Sequence, residues 1–212
     1  MFSIDKITAL ITNEQIQFAP WPYLVVEKMI NNDTALIIHN RLKTGVNWEL
    51  DSRVSSNIWL DKDVDKEIKM IFEPLTRYEF LANLIKRFNM TLPKEFDSTW
   101  SFAWHRKGAK QIPHNDMHVI DNINRKCGEN FNRMFTQQIY FPETKCYADN
   151  ECDCEESGIW LSESKKKRVT QIKCNPGTYF CYPNSEQTWH EVPEQTYDFD
   201  RISAISRTLW NE

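Results

Sequence analysis

The sequence predicts a mainly β protein, an antiparallel sandwich or barrel, with helices packed around it in the N-terminal part. Apolar residues recur at helical spacing within the first 98 residues, whereas runs of strand-like composition dominate from residue 99 onward. Strands and helices do not alternate in the way that builds a parallel sheet. The 212 residues, 41% of them hydrophobic, suffice for one domain with a packed core. We therefore expect a single domain over residues 1–212.

The N-terminal part is expected to contribute one strand and two helical regions. Residues 21–27 favour a strand, and the run Asn31-Asn32-Asp33 offers an N-cap for a helix that ends near Gly45. Residues 61–90 form the longest helical region, because apolar residues recur there every three or four positions. Pro74 should kink or split that region, since proline donates no backbone hydrogen bond.

Strands are expected to dominate the rest of the chain. In Trp100–Trp104, large aromatic and small residues alternate with a period of two, which is typical of a strand. The run Lys165–Arg168 is interpreted as a solvated hairpin turn rather than a nucleic-acid patch. Further strand-like runs are separated by connections rich in Asn, Asp, Gly and Pro: 134–141, 157–162, 168–173, 177–182 and 201–210.

The net charge and the distribution of apolar residues exclude several classes of protein. The chain has 26 basic and 30 acidic residues, a net charge of −4, which argues against a nucleic-acid partner. No apolar stretch approaches the roughly 18 residues needed to span a bilayer, and the N-terminus lacks the pattern of a signal peptide. We therefore expect a cytoplasmic protein with no membrane partner.

The cysteines give a weak signal. Six cysteines in 212 residues are too sparse for a disulfide scaffold. Three of them, Cys146, Cys152 and Cys154, lie in an acidic stretch. The spacing between these cysteines differs from the C-x2-C or C-x4-C spacing of most zinc sites. A plain loop is the favoured interpretation; a structural metal site, a disulfide and a substrate lid are the alternatives.

The segment that points to chemistry is Pro113-His114-Asn115-Asp116. In an extended chain, residues i and i+2 project from the same face, so His114 and Asp116 can offer an imidazole nitrogen and a carboxylate oxygen to one metal ion. His190, which follows the strand-like run 177–182, supplies a third candidate ligand. Two histidines and one carboxylate leave three positions open, the arrangement of non-haem Fe(II) oxygenases. The structural alternative is a β-sandwich whose histidines only make hydrogen bonds.

A co-substrate holder follows in the sequence. Arg201 and Ser203 share one face of the strand predicted over 201–210. A guanidinium and a hydroxyl that face the interior can bind a carboxylate, the guanidinium bidentately. A buried arginine without a partner is costly, and a dianion that chelates the metal at its other end would relieve that cost.

Several motifs appear in the same order and spacing as in one known family. With the H-x-D segment, the distal histidine and the R-x-S, they make residues 100–210 resemble the prolyl-4-hydroxylase-like branch of the Fe(II)/2-oxoglutarate dioxygenases. This resemblance implies a double-stranded β-helix, the cupin-like jelly roll, as the catalytic part over 99–212, with a strand and buttressing helices over 1–98. The motifs are Trp104–Gly108, Arg133–Phe141, Ser157–Leu161 and Asn175–Gly177.

The resemblance also assigns roles to residues. It implies that His114, Asp116 and His190 hold iron and that Arg201 binds 2-oxoglutarate with help from Ser203. Tyr140 inherits a hydrogen bond to 2-oxoglutarate, its structural alternative being a buried cross-strand tyrosine. Trp104 stands where many relatives have a tyrosine near the co-substrate, so packing or an indole N–H donor replaces the hydroxyl there. His105 and His118 are interpreted as supporting or surface residues.

The implied activity is hydroxylation of an unactivated C–H bond, with release of succinate and CO2. It would use Fe(II), 2-oxoglutarate and O2, with ascorbate as a supporting reductant. The substrate would be a small molecule, a peptide or a protein, and a peptidyl or free amino acid such as proline is favoured. Arg207 is a rival anchor for 2-oxoglutarate, because the gap from His190 to Arg201 is longer than the family's. A cupin-like metal dioxygenase or isomerase that does not use 2-oxoglutarate, and a non-catalytic binding module, are the alternative functions.

Overall fold

A computed structural model describes residues 4–45, 48, 56–59, 65–143, 158–196 and 200–212. Within these residues a short 3-10 turn, Glu73–Thr76, joins two of the helices. The helices are α1 (Ile4–Asn13), α2 (Asn32–Gly45), α3 (Lys66–Phe72), α4 (Tyr78–Lys86) and α5 (Met117–Cys127). The strands are β1 (Leu24–Val26), β2 (Ser56–Trp59), β3 (Asp97–His105), β4 (Gln111–His114), β5 (Arg133–Pro142), β6 (Gly158–Ser164), β7 (Lys167–Lys173), β8 (Tyr179–Pro183), β9 (Trp189–Val192) and β10 (Arg201–Trp210).

The strands form two antiparallel sheets. The larger sheet has the order β1-β8-β5-β10-β3-β2, and the smaller sheet has the order β4-β9-β6-β7. Consecutive strands therefore pass between the sheets, as β3 and β4 do, and β8 and β9 do. This crossing places the end of β4 and the start of β9, which carry His114 and His190, in the smaller sheet opposite the long strand β10.

The helices cover the outer face of the larger sheet. Apolar residues of α1 to α4 share one core cluster with alternate residues of β3, β5 and β10. Phe72 at the end of α3 is fully buried and lies 4.9 Å from the Trp100 ring and 5.3 Å from the Phe102 ring, measured between centroids. Pro74 follows directly, in the 3-10 turn that separates α3 from α4. Proline thus splits the helical region as predicted.

The opposite face of the larger sheet points toward the smaller sheet and carries polar residues. Directly opposed residues of antiparallel strands project to the same face. Arg201 of β10 lies opposite His105 of β3, and Ser203 lies opposite Tyr140 of β5. Arg207 lies four residues after Ser203 and therefore projects from the same face of β10. The inner face of β10 therefore presents a row of polar groups to the interior between the sheets.

The strands predicted over 134–141 and 201–210 match β5 and β10, and the run Lys165–Arg168 contains the turn between β6 and β7. Five elements were not predicted as such: α1, α5, β2 and the two short strands β4 and β9. The division of the domain at residue 98 stays a prediction. Cys146, Cys152 and Cys154 lie outside the described residues. No helix in the described ranges is both long and apolar enough to cross a bilayer.

Candidate functional site

Three residues from two strand ends converge on one point. His114 ends β4, Asp116 follows it at the start of α5, and His190 lies in β9 directly opposite His114. One ligand atom from each residue lies within 4.8 Å of the other two. The Nε2 atom of His114 is 3.6 Å from Oδ1 of Asp116, and the Nε2 atom of His190 is 3.9 Å from Oδ2. This spacing suits a metal ion held by all three groups.

Hydrogen bonds orient both imidazoles toward that point. The Nδ1 atom of His114 lies 2.7 Å from the carbonyl oxygen of Ile112, and Nδ1 of His190 lies 3.0 Å from the carbonyl oxygen of Thr188. A carbonyl oxygen only accepts, so each Nδ1 carries the proton and each Nε2 presents its lone pair. The pKa of His190 falls to about 4 because the ring is fully buried. Both features keep His190 neutral, the state in which a histidine binds metal.

Asp116 stays ionised although it is buried. Burial by itself would raise the pKa of this carboxyl, but the charge of Arg207 and the neighbouring imidazoles outweigh it, so the pKa lies below its ordinary value. The Nη2 atom of Arg207 is 3.6 Å from Oδ2 of Asp116. Asp116 precedes the first turn of α5 but makes no side-chain bond to the helix end. Its carboxylate is thus available for a metal.

A second set of buried polar groups lies on the inner face of the larger sheet. Arg201 is 1% exposed and donates from Nη1 to the carbonyl oxygen of Gly158 at 3.2 Å. Its Nε and Nη2 atoms have no hydrogen-bond partner among the described residues. The same holds, within the described ranges, for the hydroxyls of Ser203, Tyr140 and Thr178, all of them buried. The Tyr140 ring centroid lies 5.8 Å from Cζ of Arg201.

These groups fit a bound carboxylate. Buried donors in native proteins are nearly always bonded, and an unpaired buried guanidinium is especially costly. Two unpaired guanidinium nitrogens and three hydroxyls are the donors that a carboxylate prefers. Burial also raises the pKa of the Tyr140 phenol, so its hydroxyl keeps its proton and can donate. The arrangement can therefore bind the distal carboxylate of a diacid whose other end reaches the metal cluster.

The two candidate anchors occupy different places. Arg201 lies on the same strand face as Ser203 and near Tyr140, and two of its nitrogens lack a partner among the described residues. Arg207 has one such nitrogen, but its Nη2 lies 3.6 Å from Asp116, and 23% of its side chain is exposed. The geometry thus favours Arg201 as the anchor for a diacid.

Trp104 faces away from this pocket. It lies opposite Ile202, and its side chain packs with the outer core, against Trp48 at 5.4 Å between ring centroids and beneath Arg106 at 4.0 Å. The neighbouring residue of β3 takes the inner position instead. His105 is 2% exposed, and neither ring nitrogen has a hydrogen-bond partner within the described part of the chain. Burial, and then the charge of Arg201, lower the pKa of His105, so it is neutral.

The sequence did not place two residues, His105 and Thr178, on this inner face. His105 was interpreted only as a supporting or surface residue, and Thr178 was not singled out. The period of two along β3 excludes Trp104 and His105 from facing the same side, but the sequence alone does not say which side is inner. The register of β3 against β10 settles it, because His105 lies opposite Arg201.

The fold is that of the 2-oxoglutarate-dependent oxygenases. No protein-family model and no curated protein matches the sequence. Among solved structures, a prolyl-4-hydroxylase from Pseudomonas putida is 11% identical, with a TM-score of 0.63 over 99% of this chain and 100% of that one. A prolyl hydroxylase from Trichoplax adhaerens, in complex with a hypoxia inducible factor peptide, is 19% identical, with a TM-score of 0.57 over 98% of this chain and 90% of that one.

A third solved structure with this fold has a different reaction. The non-heme alpha-ketoglutarate-dependent epimerase SnoN from nogalamycin biosynthesis is 11% identical, with a TM-score of 0.55 over 97% of this chain and 81% of that one. At such identities the likeness establishes the fold, and it confirms the predicted double-stranded β-helix.

Proposed function

We propose that this protein is an Fe(II)- and 2-oxoglutarate-dependent oxygenase that hydroxylates an unactivated C–H bond. One observation carries the proposal: a His–Asp–His cluster on the smaller sheet faces a sheet that carries a buried arginine, two of whose nitrogens lack an acceptor among the described residues. Either half alone has a structural explanation. Together they match the two ends of 2-oxoglutarate, a keto acid that chelates a metal and a carboxylate that needs a cation.

The chain's own residues would divide the work as follows. His114, Asp116 and His190 would hold Fe(II) on one side and leave the other side open. Arg201, with the Ser203 and Tyr140 hydroxyls, would bind the distal carboxylate of 2-oxoglutarate and so direct its keto acid toward the metal. When bound, the iron and 2-oxoglutarate supply the oxidising chemistry: O2 is consumed, 2-oxoglutarate becomes succinate and CO2, and the substrate gains a hydroxyl group.

Two further features support this assignment. Because the pKa of Asp116 lies below its ordinary value, the carboxylate is an anionic ligand at neutral pH. His105, which lies opposite Arg201, is neutral and so adds no charge beside the arginine. Trp104 is not included in the proposed binding set, because its side chain packs in the outer core.

The substrate belongs to the same proposal. A peptidyl or free amino acid such as proline is favoured, since two of the similar structures are prolyl hydroxylases and one holds a peptide. We propose a cytoplasmic enzyme without nucleic-acid or membrane partners, for which ascorbate would keep iron reduced. Its single catalytic domain would span residues 1–212, with residues 99–212 as the catalytic β-helix.

Succinate formation tests the activity without knowledge of the substrate. Purified protein is incubated in air with Fe(II), ascorbate and 2-oxoglutarate, and slow uncoupled release of succinate is expected. The variants Asp116→Ala and Arg201→Met should lose this release. Their matched controls, Asp121→Ala and Arg133→Met, change exposed residues on α5 and β5 and should keep it.

The alternatives give different results in the same assay. A wild-type protein that binds Fe(II) but releases no succinate would indicate a metal dioxygenase or isomerase that does not use 2-oxoglutarate. Succinate release that persists unchanged in Arg201→Met would mean that another residue anchors 2-oxoglutarate. A folded wild-type protein that binds neither Fe(II) nor 2-oxoglutarate would indicate a non-catalytic binding module.

A further inference from the structure

A second pair of donors without acceptors lies beside the metal cluster, away from Arg201. The Nε atom of Arg207 and the Nδ2 atom of Asn184 are both buried and have no hydrogen-bond partner in the described part of the chain. Asn184 as a whole is 8% exposed. Neither residue belongs to the set that would hold Fe(II) or 2-oxoglutarate.

The backbone and one side chain fix this pair in place. Thr136 of β5 lies directly opposite Arg207 of β10, and Tyr182 of β8 lies opposite Thr136 on the other side. The Thr136 hydroxyl donates to Oδ1 of Asn184 at 2.7 Å, and the Asn184 backbone N–H donates to the Met134 carbonyl at 2.9 Å. The amide oxygen of Asn184 is therefore occupied, and its N–H2 group remains as a donor.

This row of residues borders the metal cluster. The Tyr182 ring lies 5.8 Å from the His190 ring between centroids, and Nη2 of Arg207 lies 3.6 Å from Oδ2 of Asp116. Arg207 is also the more accessible arginine, because 23% of its side chain is exposed whereas Arg201 is 1% exposed. A ligand that enters from solvent can therefore reach Arg207 while 2-oxoglutarate is bound at the buried Arg201.

Charge favours an anion at this place. In the protein alone, Arg207 balances Asp116. Once Asp116 is shared with a divalent cation, and the dianion 2-oxoglutarate is paired with Arg201, the charges near the metal sum to an excess of positive charge. An additional carboxylate would neutralise it and would accept from both unpaired donors.

We propose that Arg207 and Asn184 form a subsite for a carboxylate group of the substrate. The substrate is accordingly a free acid, such as an amino acid with its own α-carboxylate, rather than a residue inside a peptide chain. This inference rests on the proposed function, because it takes the metal and 2-oxoglutarate to be bound next to the subsite.

Paramagnetic relaxation tests the subsite directly and without turnover. Mn(II) replaces Fe(II), 2-oxoglutarate is present at saturation, and the probes are propionate and propionamide, which differ in charge but hardly in shape. In wild-type protein we expect the methyl protons of propionate to relax at least about five-fold more strongly than those of propionamide, because a guanidinium prefers an anion. Asn184→Ala and Arg207→Gln should bring the ratio to within about two-fold, whereas Arg133→Gln should leave it unchanged.

The outcomes separate this inference from the proposed function. Binding of Mn(II) and 2-oxoglutarate is measured in each sample first, and failure of the wild type at that step refutes the proposed function itself. Asn184→Ala leaves Asp116 and its ion pair intact, so it remains informative if Arg207→Gln loses the metal. Equal relaxation of the two probes by wild-type protein, an unchanged ratio in Asn184→Ala, or a propionate effect that disappears as 2-oxoglutarate is raised would overturn the subsite.

Discussion

Replacing Arg201 with methionine should stabilise the protein without ligands while weakening its response to 2-oxoglutarate. Methionine retains much of the side-chain volume but carries no charge and no donor. Arg201 is 1% exposed, makes one hydrogen bond to Gly158 and leaves two nitrogen atoms without a partner among the described residues. An arginine in this setting is expected to lower stability for the sake of binding.

The expected gain in ligand-free stability and the expected loss of 2-oxoglutarate binding energy have opposite signs and similar sizes. A buried charge without a counter-ion costs several kcal/mol, and the one hydrogen bond to Gly158 returns about 1 kcal/mol. We therefore expect the free energy of unfolding of ligand-free Arg201→Met to exceed that of the wild type by roughly 1–3 kcal/mol. Removing one partner of a buried charged pair costs about 2–5 kcal/mol, so 2-oxoglutarate should bind at least about 30-fold more weakly.

Chemical denaturation with and without 2-oxoglutarate measures both effects. Zn(II)-loaded protein is used so that no turnover occurs. At a concentration of 2-oxoglutarate about one hundred times its dissociation constant, wild-type protein should gain about 2.7 kcal/mol. Arg201→Met should gain no more than about 0.9 kcal/mol, because its dissociation constant is at least about 30-fold higher, and the exposed-site variant Arg133→Met should respond as the wild type does.

The reasoning about Arg201 fails under either of two results. If ligand-free Arg201→Met is less stable than the wild type by more than about 1 kcal/mol, the typical cost of a point substitution, the arginine has a structural partner and is not an empty binding group. If the variant binds 2-oxoglutarate within about three-fold of the wild type, less than one neutral hydrogen bond is worth, the anchor lies elsewhere.

Three further predictions concern single residues. Tyr140→Phe removes one neutral hydrogen bond and should weaken 2-oxoglutarate binding by about three- to ten-fold in a calorimetric titration, and an unchanged affinity would assign the hydroxyl another role. In metal-free protein, burial lowers the pKa of His190 to about 4, so the unfolded chain takes up this proton first as the pH falls below about 6.5. The free energy of unfolding should thus fall by up to roughly 3 kcal/mol between about pH 6.5 and pH 4, and His190→Gln should flatten that slope; parallel curves would contradict it. Gly177→Ala should lower stability by more than about 2 kcal/mol in urea unfolding, because φ is +67° and the new methyl would collide with the Ile30 carbonyl, whereas Gly128→Ala, at φ +73° with open space, should cost only about 1 kcal/mol.

The long strands were predictable because their pattern is local. β10 begins at Arg201 and ends at Trp210, the bounds expected from the sequence. Along such a strand the period of two is sufficient to place Arg201 and Ser203 on one face. The same rule placed His114 and Asp116 together, although Asp116 in the structure precedes the first turn of α5 rather than continuing β4.

What the sequence left open depends on contacts distant in the chain. β4 and β9 have four residues each, too few to establish a period, and they form through pairing: β4 pairs with β9, and β9 also pairs with β6. The partner of Arg201 across β3 depends on register, which no short pattern reveals. The sequence does mark the C-terminal end of helix α5, because Arg125 and Lys126 lie in its last turn and Gly128, which adopts the left-handed conformation, follows it.

An anaerobic titration of the Fe(II)-loaded protein with 2-oxoglutarate tests the central claim most directly. We expect a visible absorption band to develop as the keto acid chelates the iron and to saturate at one equivalent of 2-oxoglutarate per iron. Asp116→Ala should show no band, and Arg201→Met should require at least about 30-fold more 2-oxoglutarate. A folded wild-type protein that binds Fe(II) but develops no band, or an Arg201→Met variant that titrates as the wild type does, would contradict the account.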